Sequence, residues 1–183
     1  MTRARPWGRT TIAAVAAIAA YGVWRLSGGE APPAVGPGAP APAFVATTLD
    51  SVPVARTLDD YRGSPILLNV WATWCDPCRE EMPSMQRLYD AYRDRGLRVV
   101  AVSIDDRGTE KLIRDFVAEH QLTFDILHDA KSAIMTTYQV LGVPQTFLIS
   151  AEGNIVGTAF AADWMTPENR RKVEALLPPV APE

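Results

Sequence analysis

The two cysteines of this 183-residue chain lie three positions apart, in the stretch Trp74-Cys75-Asp76-Pro77-Cys78. An apolar run precedes them, and a segment with helical periodicity follows from Pro77 to Arg95. Two thiols at this spacing can close a disulfide across one helical turn. The first thiol would lie at the helix N-terminus, where unpaired N–H groups and the helix dipole favour an anion. The pattern therefore predicts that Cys75 is a thiolate nucleophile and that Cys78 resolves the mixed disulfide formed at Cys75.

Two other uses of the cysteine pair have to be weighed against redox chemistry. A Cys-x-x-Cys pair can be half of a zinc site, but such a site usually needs four ligands. Seven residues separate the two histidines, His120 and His128, whereas a zinc finger separates its histidines by about three to five. A structural disulfide of this kind closes so short a loop that it adds little stability through chain entropy. Redox chemistry is therefore favoured, and neither a metal nor a cofactor is expected.

The N-terminal part differs in composition from the rest of the chain. The net charge is −3 for the whole chain and +3 for residues 1–30, which leaves −6 for the remainder. We expect a basic cytoplasmic start over 1–9, a membrane anchor or signal sequence over 10–26, a Pro/Gly-rich linker over 27–42 and one domain over 43–183. The linker has little apolar bulk and should be extended and mobile. Nucleic acid is not an expected partner, because basic residues and aromatic residues form no common stripe.

Two interpretations of the apolar run from Thr10 to Trp24 compete. In a cleaved signal peptide, Ala20-Tyr21-Gly22 would serve as the small-residue exit. In an uncleaved anchor, a helix of this length reaches only about 22 Å across a core of about 30 Å, but Arg9 and Arg25 can snorkel outward. We favour the anchor, with its basic end in the cytoplasm. Both interpretations place the domain outside the cytoplasm.

Strand and helix signals alternate along the domain. Phe44 to Thr48 and Val52 to Arg56 predict a short hairpin, and the apolar run Ile66 to Trp71 predicts a central strand covered on both faces. Pro83 lies inside the helix after Cys75 and predicts a kink there. Further strands are predicted over 97–104, 124–127, 146–149 and 155–160, and further helices over 109–120, 132–138 and 166–177. The order of elements indicates an α/β fold with a mixed central sheet.

This layout resembles the thioredoxin fold, and within it the membrane-tethered, extracytoplasmic group of the TlpA, ResA and CcmG type. One block that carries the resemblance runs from Leu67 to Pro83 and reads LLNVWATWCDPCREEMP, and a second runs from Tyr138 to Ile149 and reads YQVLGVPQTFLI. Between the strand at Val99 and Pro144, a plain thioredoxin has one short helix, whereas this chain fits a helix, a strand and another helix. The resemblance implies a thioredoxin fold with an N-terminal β-hairpin and a central helix-strand insertion, its mixed sheet flanked by helices.

The resemblance implies substrate-binding residues beside the cysteines. It implies a cis peptide bond between Val143 and Pro144 that faces the thiols, which would leave the Val143 backbone ready to hydrogen-bond an extended substrate chain. Trp74 is expected to form a wall of the same groove.

The path of the proton to and from Cys78 departs from the thioredoxin pattern. Thioredoxin has a buried acid six residues ahead of its first cysteine, and that position here is Asn69, which cannot titrate. Glu81 lies three residues after Cys78 on the same helical face, and the family has a glutamate at this place. We predict that Glu81 is partly buried, has a raised pKa and shuttles the proton.

The two residues between the thiols should tune the redox couple. The charge of Asp76 opposes thiolate formation at Cys75, and Pro77 suits the first helical turn and stiffens the pair. Together they predict a moderately reducing couple rather than a strong oxidant.

These features predict an extracytoplasmic thiol-disulfide oxidoreductase, monomeric and anchored by its N-terminal helix in a bacterial inner membrane. The resemblance implies that it reduces cysteine pairs of partner proteins, either those of apocytochrome c or those of copper-site assembly proteins. A reductant outside the cytoplasm needs electrons, so a transmembrane thiol donor is implied.

Two rival functions are kept open. A thiol peroxidase of the peroxiredoxin type needs the pattern Pro-x-x-x-Thr-x-x-Cys, which is absent although Thr73 is present. A copper chaperone would use Cys75 and Cys78 with His128. Copper carriers of this fold use a Cys-x-x-x-Cys spacing, and His128 is expected to be an exposed loop residue after a strand.

Overall fold

The computed structural model of the chain describes residues 34–179. The strands are β1 (Val45–Thr48), β2 (Ala55–Thr57), β3 (Ile66–Trp71), β4 (Arg98–Ser103), β5 (Asp125–His128), β6 (Gln145–Ile149) and β7 (Ile155–Phe160). The helices are α1 (Asp76–Tyr92), α2 (Glu110–Glu119), α3 (Ala133–Thr137) and α4 (Pro167–Glu174), with short 3-10 turns at Leu58–Tyr61 and Arg93–Arg95. In this part of the chain the strands form one mixed sheet in the order β2-β1-β5-β4-β3-β6-β7.

The centre of the sheet is covered on both faces. All six residues of β3 are buried, and their side chains alternate between the faces. Leu67 packs in one apolar cluster with residues of α1, α2 and α4. Leu68 and Val70 pack in a second cluster with Ile134 of α3 and with the N-terminal hairpin. This arrangement confirms the predicted α/β fold and the prediction that β3 is a central strand.

The sheet brings the two sequence blocks that carry the resemblance to one edge. Strand β3 runs parallel to β4 and antiparallel to β6, and Val70 pairs with Gln145. Cys75 and helix α1 therefore leave the sheet at the edge where Pro144 enters it. Strand β7 ends at the same edge, because Gln145 also pairs with Phe160.

The N-terminal hairpin forms, but its second strand is shorter than predicted. Strands β1 and β2 pair antiparallel, with Val45 opposite Thr57. Residues 52–54, predicted as part of the strand, belong to the connecting loop, because Val54 closes that loop through hydrogen bonds with Thr48. Pro53 has no N–H to donate to a strand ladder. The insertion between β4 and β6 consists of α2, β5 and α3, as the resemblance implied.

The end of the predicted linker is docked on the domain rather than extended and mobile. Gly38 donates its N–H to the carbonyl of Ile155 at 2.8 Å, and Ala41 donates to Gly153 at 2.9 Å. The hydroxyl of Tyr138 donates to the carbonyl of Pro42 at 2.6 Å. Composition alone missed this docking, because the contacts use backbone groups, which a Pro/Gly-rich segment still carries.

The predicted anchor over 10–26 lies outside the described residues, and no helix within residues 34–179 is long and apolar enough to cross a membrane.

Helix α1 includes Pro83 without interruption of the helix. Gly96 follows the 3-10 turn in a left-handed conformation, with φ of 92°, as a capping glycine does.

The prediction that His128 is an exposed loop residue was wrong. His128 is the last residue of β5 and is 4% exposed. It pairs with Thr47 on one side and with Ser103 on the other. Its Nε2 lies 2.8 Å from the backbone carbonyl oxygen of Asp105. The strand continues one residue further than the apolar pattern indicated, because strands on both sides of His128 supply pairing partners for its backbone.

Candidate active site

The cysteine pair lies at the N-terminus of α1. Cys75 is the N-cap residue, and its Sγ accepts a hydrogen bond from the backbone N–H of Cys78 at 3.2 Å. A disulfide joins the two residues, whose Cα atoms are 5.3 Å apart. Cys78 is fully buried, whereas Cys75 is 4% exposed. The position is the one in which helix N–H groups favour a negative sulfur, and Cys75 is the sulfur nearer to solvent.

The residues that flank the cysteines lie at the surface. Asp76 and Pro77 are exposed and occupy the first turn of α1, where proline needs no N–H partner. Trp74 is 65% exposed, which is unusual for so large an apolar side chain. Leu141 and Phe160 are also exposed, at 102% and 61%. Phe160 lies at the sheet edge described above, and its ring is within 3.9 Å of the position that a Cβ on Gly142 would occupy.

The peptide bond between Val143 and Pro144 is cis, as the resemblance implied. Pro144 immediately precedes β6, so the bond lies at the edge of the sheet from which the chain leaves for Cys75. Val143 packs against the apolar cluster that contains both cysteines. The structure thus brings Val143, Pro144 and the cysteine pair to the same edge.

Glu81 is buried in a hydrogen-bonded site one helical turn after Cys78. Its side chain is 3% exposed. Its Oε1 accepts a hydrogen bond from the indole Nε1 of Trp164 at 2.8 Å and others from the Ala162 N–H at 3.3 Å and the Thr146 hydroxyl at 3.4 Å. Its Oε2 accepts from Nδ2 of Asn69 at 3.4 Å. Asn69, which stands where thioredoxin has an acid, is thus a neutral hydrogen-bond donor to Glu81.

Burial raises the pKa of Glu81 above its ordinary value of 4.5, while the hydrogen bonds to its carboxylate act in the opposite direction. Among residues 34–179, no Lys, Arg or His forms an ion pair with Glu81. Oδ1 of Asn69 is buried and has no partner. Rotation of the Asn69 amide would turn this acceptor toward the protonated form of Glu81, which has an O–H to donate. The burial and the raised pKa of Glu81 agree with what the sequence predicted, and its role as a proton shuttle stays a prediction.

The surroundings of Glu81 include residues that the sequence did not reveal. Trp164 is one of them, since it is fully buried and its indole N–H donates to Glu81. Its backbone N–H donates to the Ser84 hydroxyl at 3.0 Å, which fixes the loop after β7 on α1. Thr146, fully buried on β6, accepts a hydrogen bond from Asn69 at 2.9 Å. No local pattern indicates these partners, because they lie more than sixty positions from Glu81.

A cleft of about 290 Å³ reaches Glu81 from the surface. Its lining includes Pro77, Glu80 and Asp163. A larger cleft of about 970 Å³ lies elsewhere, between the N-terminal hairpin and α2, and neither cysteine lines it. Neither cysteine lines the smaller cleft, but it is the one next to the redox pair, because it borders Pro77 and Glu81 on α1.

Replacing Glu81 with glutamine should make the protein more stable than the wild type at pH 8 but not at pH 4. The raised pKa means that the folded state binds the Glu81 proton more tightly than the unfolded state does. The wild type therefore loses stability as the pH rises from about 4.5 through the raised pKa. Thermal unfolding between pH 4 and pH 8 measures the difference. Glu80→Gln, on the exposed neighbour, is the control, and parallel curves for wild type and Glu81→Gln would contradict the prediction.

The sequence profile of the AhpC/TSA family matches residues 37–158. The chain belongs to the AhpC/TSA family. Thiol-disulfide oxidoreductase ResA of Geobacillus kaustophilus is 37% identical to this family member over 147 residues, which are 79% of the chain and 80% of the relative. ResA of Oceanobacillus iheyensis is 44% identical over 98 residues, 54% of the chain and 50% of the relative. The resemblance to the ResA group is thereby confirmed.

A solved structure supports the fold of this AhpC/TSA family member. A protein from Chlorobium tepidum, described as a putative thiol:disulfide interchange protein DsbE, superposes with a TM-score of 0.63 at 28% identity. The match covers 78% of this chain and 94% of that one. The chain spans between half and about two-thirds of the length of the first curated relatives it matches, at 50% to 66%. The comparisons therefore show the thioredoxin-like fold and the family.

Proposed function

We propose that this AhpC/TSA family member is an extracytoplasmic thiol-disulfide oxidoreductase that reduces disulfides of partner proteins through Cys75 and Cys78. The observation that carries the proposal is the Cys75–Cys78 disulfide at the N-terminus of α1, one turn before the buried carboxyl group of Glu81. Such a site supplies an activated sulfur, a resolving sulfur and a proton acceptor on one helix.

The reaction starts from the reduced pair. The Cys75 thiolate attacks one sulfur of the partner disulfide, the partner S–S bond breaks, and the first partner thiolate leaves and takes a proton from water. The product is a mixed disulfide between Cys75 and the partner. Only Cys75 is placed for this step, since Cys78 is fully buried.

Cys78 completes the transfer. Its thiol gives a proton to the carboxylate of Glu81, and its sulfur attacks Sγ of Cys75. The bond between Cys75 and the partner breaks, and the second partner thiolate leaves. Two electrons have then passed from the cysteine pair to the partner. The raised pKa of Glu81 suits this exchange, because a carboxylate of ordinary acidity is a weak base toward a thiol.

Exposed side chains around the cysteines are suited to hold the partner. We assign substrate contacts to Trp74 and to the backbone of Val143 beside Pro144, and the exposure of Leu141 and Phe160 extends this apolar rim. A recessed sulfur within an apolar rim suits an extended polypeptide segment better than a disulfide inside a folded surface. Asp76 and Pro77 tune the couple toward a moderately reducing potential.

The pathway around the enzyme is part of the same proposal. The clients are the cysteine pairs of apocytochrome c or of copper-site assembly proteins, and a transmembrane thiol protein returns electrons to the pair. The protein is a monomer anchored in a bacterial inner membrane by its N-terminal helix, with the domain in the periplasm or on the extracytoplasmic face. The basic start and apolar run at the N-terminus support the anchor.

The purified protein should catalyse the reduction of insulin disulfides by dithiothreitol and should not consume peroxide above the rate of a cysteine-free variant. Reduction of insulin reports attack by Cys75 on a protein disulfide without a need for the natural client. Peroxide consumption separates this function from that of a thiol peroxidase. A cysteine pair that dithiothreitol cannot reduce, or turnover with peroxide alone, would overturn the proposal.

A further inference from the structure

A buried carboxylate accepts hydrogen bonds from the segment that connects β3 to Cys75. Asp105 follows β4 and is 2% exposed. Its carboxylate accepts hydrogen bonds from the backbone N–H of Thr73 at 3.0 Å, from the Thr73 hydroxyl at 2.6 Å and from the Ser103 hydroxyl at 2.6 Å. Both hydrogen-bond donors of Thr73, its backbone N–H and its hydroxyl, therefore bond to the carboxylate of Asp105.

The segment 72–74 is held at further points that lead to the nucleophile. The backbone N–H of Cys75 donates to the carbonyl of Ala72 at 3.2 Å. Nη1 of Arg79 approaches the carbonyl of Thr73 at 3.5 Å, and the same guanidinium lies over the Phe116 ring and pairs with Glu119. Anchoring of Thr73 by Asp105 is therefore transmitted through two peptide units to the N-cap position of Cys75.

The charge of Asp105 is satisfied by neutral donors alone. Among residues 34–179, no Lys, Arg or His forms an ion pair with its carboxylate. His128 contacts only the Asp105 backbone carbonyl, and its Nδ1 lies 3.7 Å from Glu110. The charged residues of α1 next to the cysteine pair in sequence are Asp76, Arg79, Glu80 and Glu81. A buried anion without a cationic partner, hydrogen-bonded to the residue two positions before Cys75, disfavours a second anion at that sulfur.

We propose that Asp105 is a positioning residue for the redox site. Through Thr73 it holds Cys75 at the start of α1, and its charge keeps the Cys75 thiol less acidic than the helix alone would make it. The inference rests on the proposed function, in which Cys75 is the nucleophile. A less acidic Cys75 stabilises the reduced pair less, which keeps the couple reducing.

The chain offers a matched control for Asp105. Asp129 follows the neighbouring strand β5 and is 7% exposed. Its carboxylate also accepts hydrogen bonds from backbone N–H groups, those of Ile134 at 2.8 Å and of Lys131 at 3.2 Å. These contacts start helix α3 and do not involve the segment before Cys75. Asp129→Asn therefore removes a similar buried charge at the same edge of the sheet without touching Thr73.

The test is the pH dependence of Cys75 alkylation by iodoacetamide, measured on the full chain with Cys78→Ala so that one thiol reacts. Asp105→Asn keeps the shape and should lower the alkylation midpoint by about one pH unit. Thr73→Val removes the hydroxyl that offsets the charge and should raise the midpoint by a few tenths of a unit, whereas Thr73→Ser should restore it. Asp129→Asn should leave it unchanged.

Opposite shifts for the two positions distinguish a charge held beside Cys75 from simple loosening of the segment, which would move both variants in one direction. Equal midpoints for wild type and Asp105→Asn, or equal shifts in Asp105→Asn and Asp129→Asn, would overturn the inference. If Asp105→Asn does not fold, an unshifted midpoint in Thr73→Val is sufficient to overturn it. The insulin assay on the wild type tests the proposed function separately, because alkylation requires no partner disulfide.

Discussion

Replacing Cys75 with serine should abolish the reduction of protein disulfides, with kcat/KM at least about a thousandfold below the wild type. A serine hydroxyl at the N-terminus of α1 stays protonated at neutral pH and cannot form a disulfide with the partner. Insulin reduction by dithiothreitol measures the loss. The fold should survive, since the sulfur contributes one hydrogen bond from Cys78 and a disulfide across a very short loop.

Replacing Cys78 with alanine should trap the mixed disulfide between Cys75 and the partner. Attack by Cys75 is retained and resolution is lost, so mixed disulfides with partner proteins accumulate. Non-reducing electrophoresis followed by mass spectrometry identifies these partners, and the double variant Cys75→Ser, Cys78→Ala is the control that captures none. Substantial insulin reduction by Cys75→Ser, or equal capture by the single and double variants, would show that Cys75 is not the attacking residue.

Glu81→Gln should slow the resolution of the mixed disulfide by about 100-fold and remove its dependence on pH. In the wild type the rate should rise as the pH passes through the raised pKa of Glu81, because only the carboxylate accepts the proton of Cys78. Glutamine keeps the size of the side chain, and the free Oδ1 of Asn69 can accept its amide N–H after rotation of the Asn69 amide. Stopped-flow measurement of resolution and of Cys78 alkylation between pH 5 and pH 9 tests this.

Glu80→Gln is the matched control for Glu81→Gln. Glu80 is the preceding residue of the same helix, carries the same charge and is exposed. The Glu80→Gln change should affect the resolution rate little, since the Glu80 carboxylate is exposed to solvent and lies on a different helical face from Cys78. Retention of the wild-type pH dependence of Cys78 alkylation in Glu81→Gln would show that another group moves the proton.

Under the proposed function, the buried polar site around Glu81 takes the place of the acid of thioredoxin. Asn69 takes that position in β3 and donates to Glu81 on α1, so the titrating group has moved from the sheet to the helix. The donors from Trp164 and Thr146 keep the carboxylate form accessible despite burial. A carboxyl group whose protonated and ionised forms are both accommodated can take up and release a proton, as a proton shuttle requires.

The features that the sequence predicted correctly are those encoded by neighbours along the chain. The apolar run of β3, the spacing of Cys75 and Cys78 and the helical periodicity after them place two sulfurs at a helix start, because each depends on residues within a few positions. Glu81 was found in the same way, since three residues along a helix keep it on the face of Cys78. The cis bond before Pro144 came from the resemblance of a longer block.

The features that only the tertiary structure decided depend on which strands and loops become neighbours. The order of the sheet brings Asp105 to Thr73 and buries His128 between two strands. The loop after β7 brings Trp164 onto Glu81 from more than eighty positions away. The docked linker uses backbone groups that carry no side-chain signal. Local periodicity fixes the face on which a residue lies, but its partners across that face are set by strand order and loop packing, which adjacent residues do not encode.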